Sequence, residues 1–168
     1  MFKYLYGAII GGGVLGAGIC EEIGWRGFAL PQLQRKFTAF TSSVVIGIAW
    51  GLWHWPNYLI TAHPHPYAAL GLSIPAGIVA ACIYTWAFNS TGGSLFTVVV
   101  LHGTTVTRAV GSSSNDSMFP IIAAAVSILI VVVIIWRYGP GNMSPCEKVV
   151  VEPRGANGFQ LGSPTTRL

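Results

Sequence analysis

The sequence predicts an all-α, polytopic bundle of about five transmembrane helices, and two observations carry that prediction. Hydrophobic residues make up 52% of the chain and charged residues only 8%, against roughly 25% charged in an average soluble domain. A soluble fold of 168 residues needs a charged surface that this composition does not supply. The second observation is segmentation. Apolar runs at about 2–30, 39–61, 68–88, 94–110 and 119–136 each approach the ~20 residues that cross a bilayer as a helix. In hydrocarbon every backbone polar group must be paired within the protein, which a helix achieves within one segment.

Taken in order, the first segment is apolar or glycine from Phe2 to Cys20 apart from Lys3, and turns polar in its last third. Ala8, Gly12 and Gly16, spaced by four, form a small-residue face along which another helix can approach closely. A phosphate-binding reading of these glycines fails, because no Lys or Ser/Thr follows in the required place. Short loops at Pro31–Thr38, Thr61–Tyr67, Asn89–Gly93 and Gly111–Ser117 join the segments and favour antiparallel neighbours. The loop containing His63 and His65 has no third ligand nearby and reads as an ordinary connection. Residues 1–137 thus form the core. Residues 138–168, rich in Gly, Pro, Ser and Thr and without apolar periodicity, read as a disordered polar tail. Cys20, Cys82 and Cys146 show no CxxC spacing and imply no disulfide framework.

The net charge of +4 does not come from a patch. Basic residues sit at the ends of apolar runs, which excludes nucleic acid as a partner and leaves the lipid bilayer. Arg35 and Lys36 follow the first segment, while Arg137, Lys148, Arg154 and Arg167 follow the last. Five spans put these regions on one side, which the positive-inside rule makes cytoplasmic. The loops at His63–His65 and Ser112–Asp116 then face outward, and so does the amino terminus, without a cleavable signal pattern. Such a start predicts either a chain lacking N-terminal spans of a larger core or a reading frame that begins before Met1.

Against this background Glu21-Glu22-Ile-Gly-Trp-Arg26 stands out. A carboxylate in hydrocarbon costs at least about 2.5–3.5 kcal/mol, so ionisable groups there serve a function by default. Glu22 and Arg26, four apart, share a helix face and can pair. Glu21, about 100° further round, points elsewhere and is placed to act as a base; the plainer reading is a structural clamp with Glu21 facing water. In Trp50-Gly-Leu-Trp-His54-Trp-Pro56 a histidine follows Trp50 by one turn. His54 could accept a proton from water, bind a metal as neutral imidazole, or simply bond to a neighbouring helix. His102 lies deep in its own span and is followed by Thr104, Thr105 and Thr107, hydroxyls that ordinarily return to backbone carbonyls.

Glu-Glu-x-x-x-Arg at Glu21–Arg26, aromatic-x-x-x-His at Trp50–His54 and a later helix with a central His102 together resemble the CPBP family of intramembrane proteases. That family takes in CAAX prenyl endopeptidases and bacteriocin-processing, ABI-type proteins. The resemblance covers roughly residues 15–110. It implies a membrane-embedded endopeptidase in which Glu21 is the base and His54 holds and polarises the attacking water. His102 would help stabilise the oxyanion, with Glu22 and Arg26 buttressing the site. Trp50 stands where the family usually has Phe. Val106 stands where it commonly has Asn, and losing one oxyanion donor costs roughly 10²–10³ in rate elsewhere; Thr105 is the candidate substitute. The family usually carries spans ahead of the Glu-Glu helix, in agreement with the missing upstream spans. The implied partners are the bilayer and a membrane-associated or prenylated peptide, in the plasma membrane of a bacterium or archaeon. Glu21, His54 and His102 would also make a catalytic zinc set with a position left for water, or activate water without metal. Two other functions stay open: a catalytically weak scaffold or immunity-type protein of the same fold, favoured by Val106, and a proton or metal transporter.

Overall fold

The computed structural model of the protein describes residues 16, 18–61, 64–111 and 118–151, within which all regular structure is helical. Helix α1 opens over Ile19–Glu22, widens into a π-helix over Ile23–Ala29 and returns to α over Leu30–Gln34. It is followed by α2 (Ala39–Trp53), the short α3 (Trp55–Ile60), α4 (Pro66–Ser90), α5 (Leu95–Gly111) and α6 (Met118–Asn142).

Local chemistry sets these boundaries. Thr38 starts α2 by accepting the Thr41 backbone N–H on its hydroxyl at 3.1 Å, the role of an extended N-cap threonine. The run predicted as one span, 39–61, breaks at His54. Pro56 has no N–H to donate and its ring crowds the carbonyl four residues back. Gly92 and Gly93, at φ of 63° and 91°, turn the chain from α4 into α5. Helix α6 kinks at Gly139 (φ 72°), ahead of Pro140, so its regular part stops near Tyr138.

Helices α2 and α4 cross through glycine. A Cβ on Gly47 would lie 2.4 Å from the Ile78 Cα, one on Gly51 2.7 Å from the Ile74 Cα, and one on Gly77 2.6 Å from the Gly47 carbonyl oxygen. Backbone meets backbone there, and no flexible side chain can yield. Beside the crossing, Ser43 donates to the Thr85 hydroxyl at 2.8 Å. Small residues and hydroxyl bonds are how helices associate in lipid. Gly47→Ala is expected to force α2 and α4 apart and cost about 1–3 kcal/mol, read as a lower unfolding temperature in detergent. Gly71→Ala, whose Cβ would meet nothing within 4 Å, is the comparison, and equal melting of the two variants would refute the close crossing. Of the small-residue face predicted at Ala8, Gly12 and Gly16, the first two lie outside the described residues. A Cβ on Gly16 would meet nothing within 4 Å.

Two described helices, α4 and α6, are long and apolar enough to cross a membrane, and α5 adds a shorter apolar stretch over Leu95–Thr105. Helix α2, at 15 residues, falls short of a full crossing. Helix α4, 25 residues long, is roughly 37 Å and the regular part of α6, Met118 to Tyr138, roughly 31 Å, each enough for the ~30 Å hydrocarbon core. Exposure separates this arrangement from a soluble core. Only 11% of the most apolar stretch of α6 is buried, and Ile121, Ile122, Leu129, Val132 and Trp136 project outward from it. So large an apolar surface is stable against lipid and not against water. The protein is a helical membrane bundle.

The inner core joins Leu30, Ile46, Trp50, Ala81, Tyr84, Phe88 and Val98 from α1, α2, α4 and α5. At one end the fully buried amides of Gln34 and Asn89 bond reciprocally, Gln34 Nε2 donating to Asn89 Oδ1 at 3.1 Å and Asn89 Nδ2 to Gln34 Oε1 at 2.8 Å. The same nitrogens reach the Val149 and Asn142 carbonyls at 2.7 and 3.0 Å. Lys148 Nζ donates to the Phe37 carbonyl at 2.6 Å, so the regions of Arg35–Lys36 and Lys148 meet at one end, as the charge pattern predicts. Residues 143–151, assigned from the sequence to the disordered tail, are docked here. Met143 is fully buried and Val149 packs on the core. The two amides supply partners for backbone groups that no helix or sheet pairs. Residues 152–168 lie outside the described residues.

Candidate active site

The charged motif straddles the start of the π stretch of α1, with Glu21 and Glu22 in the turn before it and Arg26 within it. Leu30 N–H bonds to the Trp25 carbonyl, five residues back, and π turns of this kind concentrate at functional sites. Glu22 and Arg26 are both fully buried, and Arg26 Nη1 donates to Glu22 Oε1 at 2.9 Å. The predicted ion pair is therefore formed. His102 Nδ1 approaches the same oxygen at 2.7 Å, which joins α1 to α5 across 80 residues of sequence. The Arg26 guanidinium lies 5.2 Å from the Trp50 ring centroid and 4.9 Å from that of Tyr84, cation–π contacts with two rings that themselves lie 5.9 Å apart. Burying opposite charges is tolerable only because they are paired. Glu22 Oε2, Arg26 Nε and Arg26 Nη2 have no hydrogen-bond partner among the described residues.

Glu21 points another way, as its position one residue before Glu22 predicts. It is half-buried, and its Oε2 accepts the Trp50 indole N–H at 2.5 Å. An open cleft of about 450 Å³ runs past it, lined by Cys20, Glu21, Gly24, Trp25, Phe28, Ala29 and Trp53. Glu21 is the one acidic group in that lining, and large apolar side chains make up much of the rest. Adjacent carboxylates thus hold different positions, Glu22 sealed in the ion pair and Glu21 at the cleft.

Trp50 links the remaining residues. Its carbonyl is 2.8 Å from His54 Nδ1, and its ring lies 5.9 Å from the His54 ring and 5.1 Å, edge-on, from that of His102. A carbonyl only accepts, so His54 Nδ1 carries its proton and Nε2 is left with a lone pair. By the same logic His102 Nδ1 donates to the Glu22 carboxylate, which leaves Nε2 at the other edge of the ring. Glu21, His54 and His102 each touch Trp50. Among the described residues, no three His, Cys, Asp or Glu side chains converge closely enough to hold a metal ion, and the zinc set Glu21, His54 and His102 does not fit as placed.

Thr105 gives its hydroxyl to its own helix. Oγ1 lies 2.7 Å from the His102 carbonyl and 2.6 Å from the Tyr84 hydroxyl, and Thr104 bonds to the Leu101 carbonyl at 2.8 Å. The side chains of Val106 and Thr107 lie outside the described ones, as does His63. Tyr84 is the site residue that the sequence reading missed. It is 3% exposed and its ring lies 5.5 Å from that of His102, tilted by 39°. The available signal was a tyrosine inside an apolar run, where the hydroxyl must find a partner. Cys20, Cys82 and Cys146 are free thiols.

The buried ion pair, the carboxylate at the cleft and the two histidines are brought together around Trp50 by α1, the end of α2 and α5. Residues 5–107, well over half of the chain, match the type II CAAX prenyl endopeptidase Rce1-like family, and the chain belongs to that family. Over 93 residues it is 31% identical to CAAX prenyl protease 2 of the archaeon Methanococcus maripaludis, a stretch amounting to 49% of this chain and 32% of the relative. The chain thus matches about a third of that protein's length. No solved structure matches the chain.

Proposed function

We propose that the chain is an intramembrane endopeptidase that hydrolyses a peptide bond near the membrane surface, with Glu21 as base. The observation that carries this reading is the meeting of Glu21, His54 and His102 on Trp50, each with one polar atom occupied and another left over. Water would sit between Glu21 and His54 Nε2. Glu21 takes one proton as the water oxygen bonds to the scissile carbonyl carbon, and Nε2 accepts the hydrogen bond from the other. The oxyanion then accepts a hydrogen bond from His102 Nε2–H. With Nδ1–H already on Glu22, His102 makes that donation as imidazolium, and the Glu22 carboxylate supports the charge. Glu21 returns its proton to the leaving amine as the C–N bond breaks, so one water is split across the peptide bond.

A prenylated or otherwise membrane-associated peptide is the substrate that the relative's name and the cleft both favour. Trp25, Phe28 and Trp53 offer apolar walls beside Glu21, as ligand pockets for apolar groups do. The site would work in a multi-pass protein of the plasma membrane. The test compares new protein termini in host membranes expressing wild type and Glu21→Gln at matched abundance. Termini present only with wild type support the protease and identify its substrates; identical sets of termini would end this reading. A second reading, a catalytically weak scaffold or immunity-type protein of the same fold, draws on Val106 and on the Thr105 hydroxyl, which is engaged by backbone and by Tyr84. It expects Glu21→Gln to leave the cellular phenotype intact.

A further inference from the structure

We infer that Trp50 is a positioning residue that selects which atom of each partner faces the reactants, through two bonds made by different parts of one residue. This inference rests on the proposed peptidase reading. The indole N–H holds Glu21 Oε2 at 2.5 Å, so Oε1 is the oxygen left to take a proton. The backbone carbonyl holds His54 Nδ1 at 2.8 Å, so Nε2 is the nitrogen left to meet water. A glutamate side chain has several rotatable bonds and a carboxylate with two equivalent oxygens. Without a fixed donor it would present either oxygen over a range of angles, and misplaced groups lose much of the advantage of proximity. Tryptophan is suited to this place because it is a donor only and cannot compete for the proton. Its ring packs against Tyr84 at 5.9 Å, His102 at 5.1 Å and the Arg26 guanidinium at 5.2 Å. The donor therefore stands on a packed helix rather than a loop, as a preorganised site requires.

The two functions of Trp50 are separable. Trp50→Phe keeps an aromatic ring and the carbonyl that orients His54, and removes only the indole N–H. Trp86 provides the comparison, since its indole nitrogen is buried without a hydrogen-bond partner among the described residues and it packs in a different cluster. Wild type, Trp50→Phe, Trp86→Phe and Glu21→Gln would be prepared with ¹⁵N-labelled tryptophan in lipid nanodiscs and compared by indole N–H resonances and by hydrolysis of a prenylated peptide. The expected result is that the resonance lost in Trp50→Phe moves upfield in Glu21→Gln, while the Trp86 resonance stays in place. In the assay, kcat of Trp50→Phe falls by roughly tenfold or more, the range for a hydrogen bond to a charged group, with KM unchanged; Trp86→Phe changes neither. A Trp50 resonance indifferent to Glu21→Gln, or a Trp50→Phe kcat equal to that of Trp86→Phe, would overturn the inference. If the wild type hydrolyses nothing, the proposed function fails while the Trp50 resonance still decides whether the indole holds Glu21.

Discussion

Arg26→Met is expected to lower the stability of the bundle by about 3–5 kcal/mol, the cost of leaving a buried charge without its partner. Folded proteins are stable by only about 5–15 kcal/mol, so this one change removes a large share. Glu22 is fully buried and takes its Arg26 bond on the same oxygen that faces His102. Once the guanidinium is gone, no other cation bonds to Glu22 among the described residues except His102 when protonated. The rings of Trp50 and Tyr84 would also lose the cation that both contact. The double variant Glu22→Leu/Arg26→Met removes both charges and is expected to regain most of the loss, because well-packed apolar residues replace a buried ion pair at little net cost. Unfolding in detergent by circular dichroism measures both. A double variant as unstable as Arg26→Met would show that the pair contributes more than charge compensation.

Glu21→Gln is expected to have the largest effect on rate, a fall of about 10²–10⁴ in kcat, the usual contribution of a positioned base. The amide has nearly the same shape as the carboxylate, and its oxygen can still accept the Trp50 N–H, so the unfolding temperature should stay within a degree or two of wild type. That separation distinguishes Glu21 from Glu22, whose loss should affect folding. Purified wild type and variant, assayed on a prenylated peptide, provide the measurement. Comparable turnover in the two would remove Glu21 from the role of base.

Much of the site is legible in the sequence because its information is local. The spacing of Glu22 and Arg26 places them on one face whatever the rest of the chain does, and their bond forms. Trp50 and His54 pack together for the same reason. The contact of His102 with Glu22 is not legible, since 80 residues separate them and helix periodicity says nothing about how two distant helices align. The π stretch is hidden as well: a 3.6-residue period cannot report pairing five residues back. Glycine spacing shows a similar limit. Gly47 and Gly51 have the same four-residue interval as Gly12 and Gly16, but spacing defines a face and not the helix that meets it. Gln34 and Asn89 fall at the ends of apolar runs, where polar residues read as loop. Each gains its meaning only from the other. The break at His54 was available from Pro56 and is hidden only when the apolar run is read by length.

The wide turn over Ile23–Ala29 bears on how this helix tolerates change in its length. Rings closed five residues back hold one residue more than α-helical rings, so the stretch stores a surplus residue that the flanking helix does not register. A deletion of Gly27 could be absorbed by closing those rings to the ordinary pairing, leaving Glu22 toward His102 and Gln34 toward Asn89. The same deletion within Leu30–Gln34 has no such slack, and would rotate Gln34 by about 100° away from its amide partner. Insertions and deletions in this helix are therefore graded by position, with the π stretch that holds Arg26 taking them more readily than Leu30–Gln34.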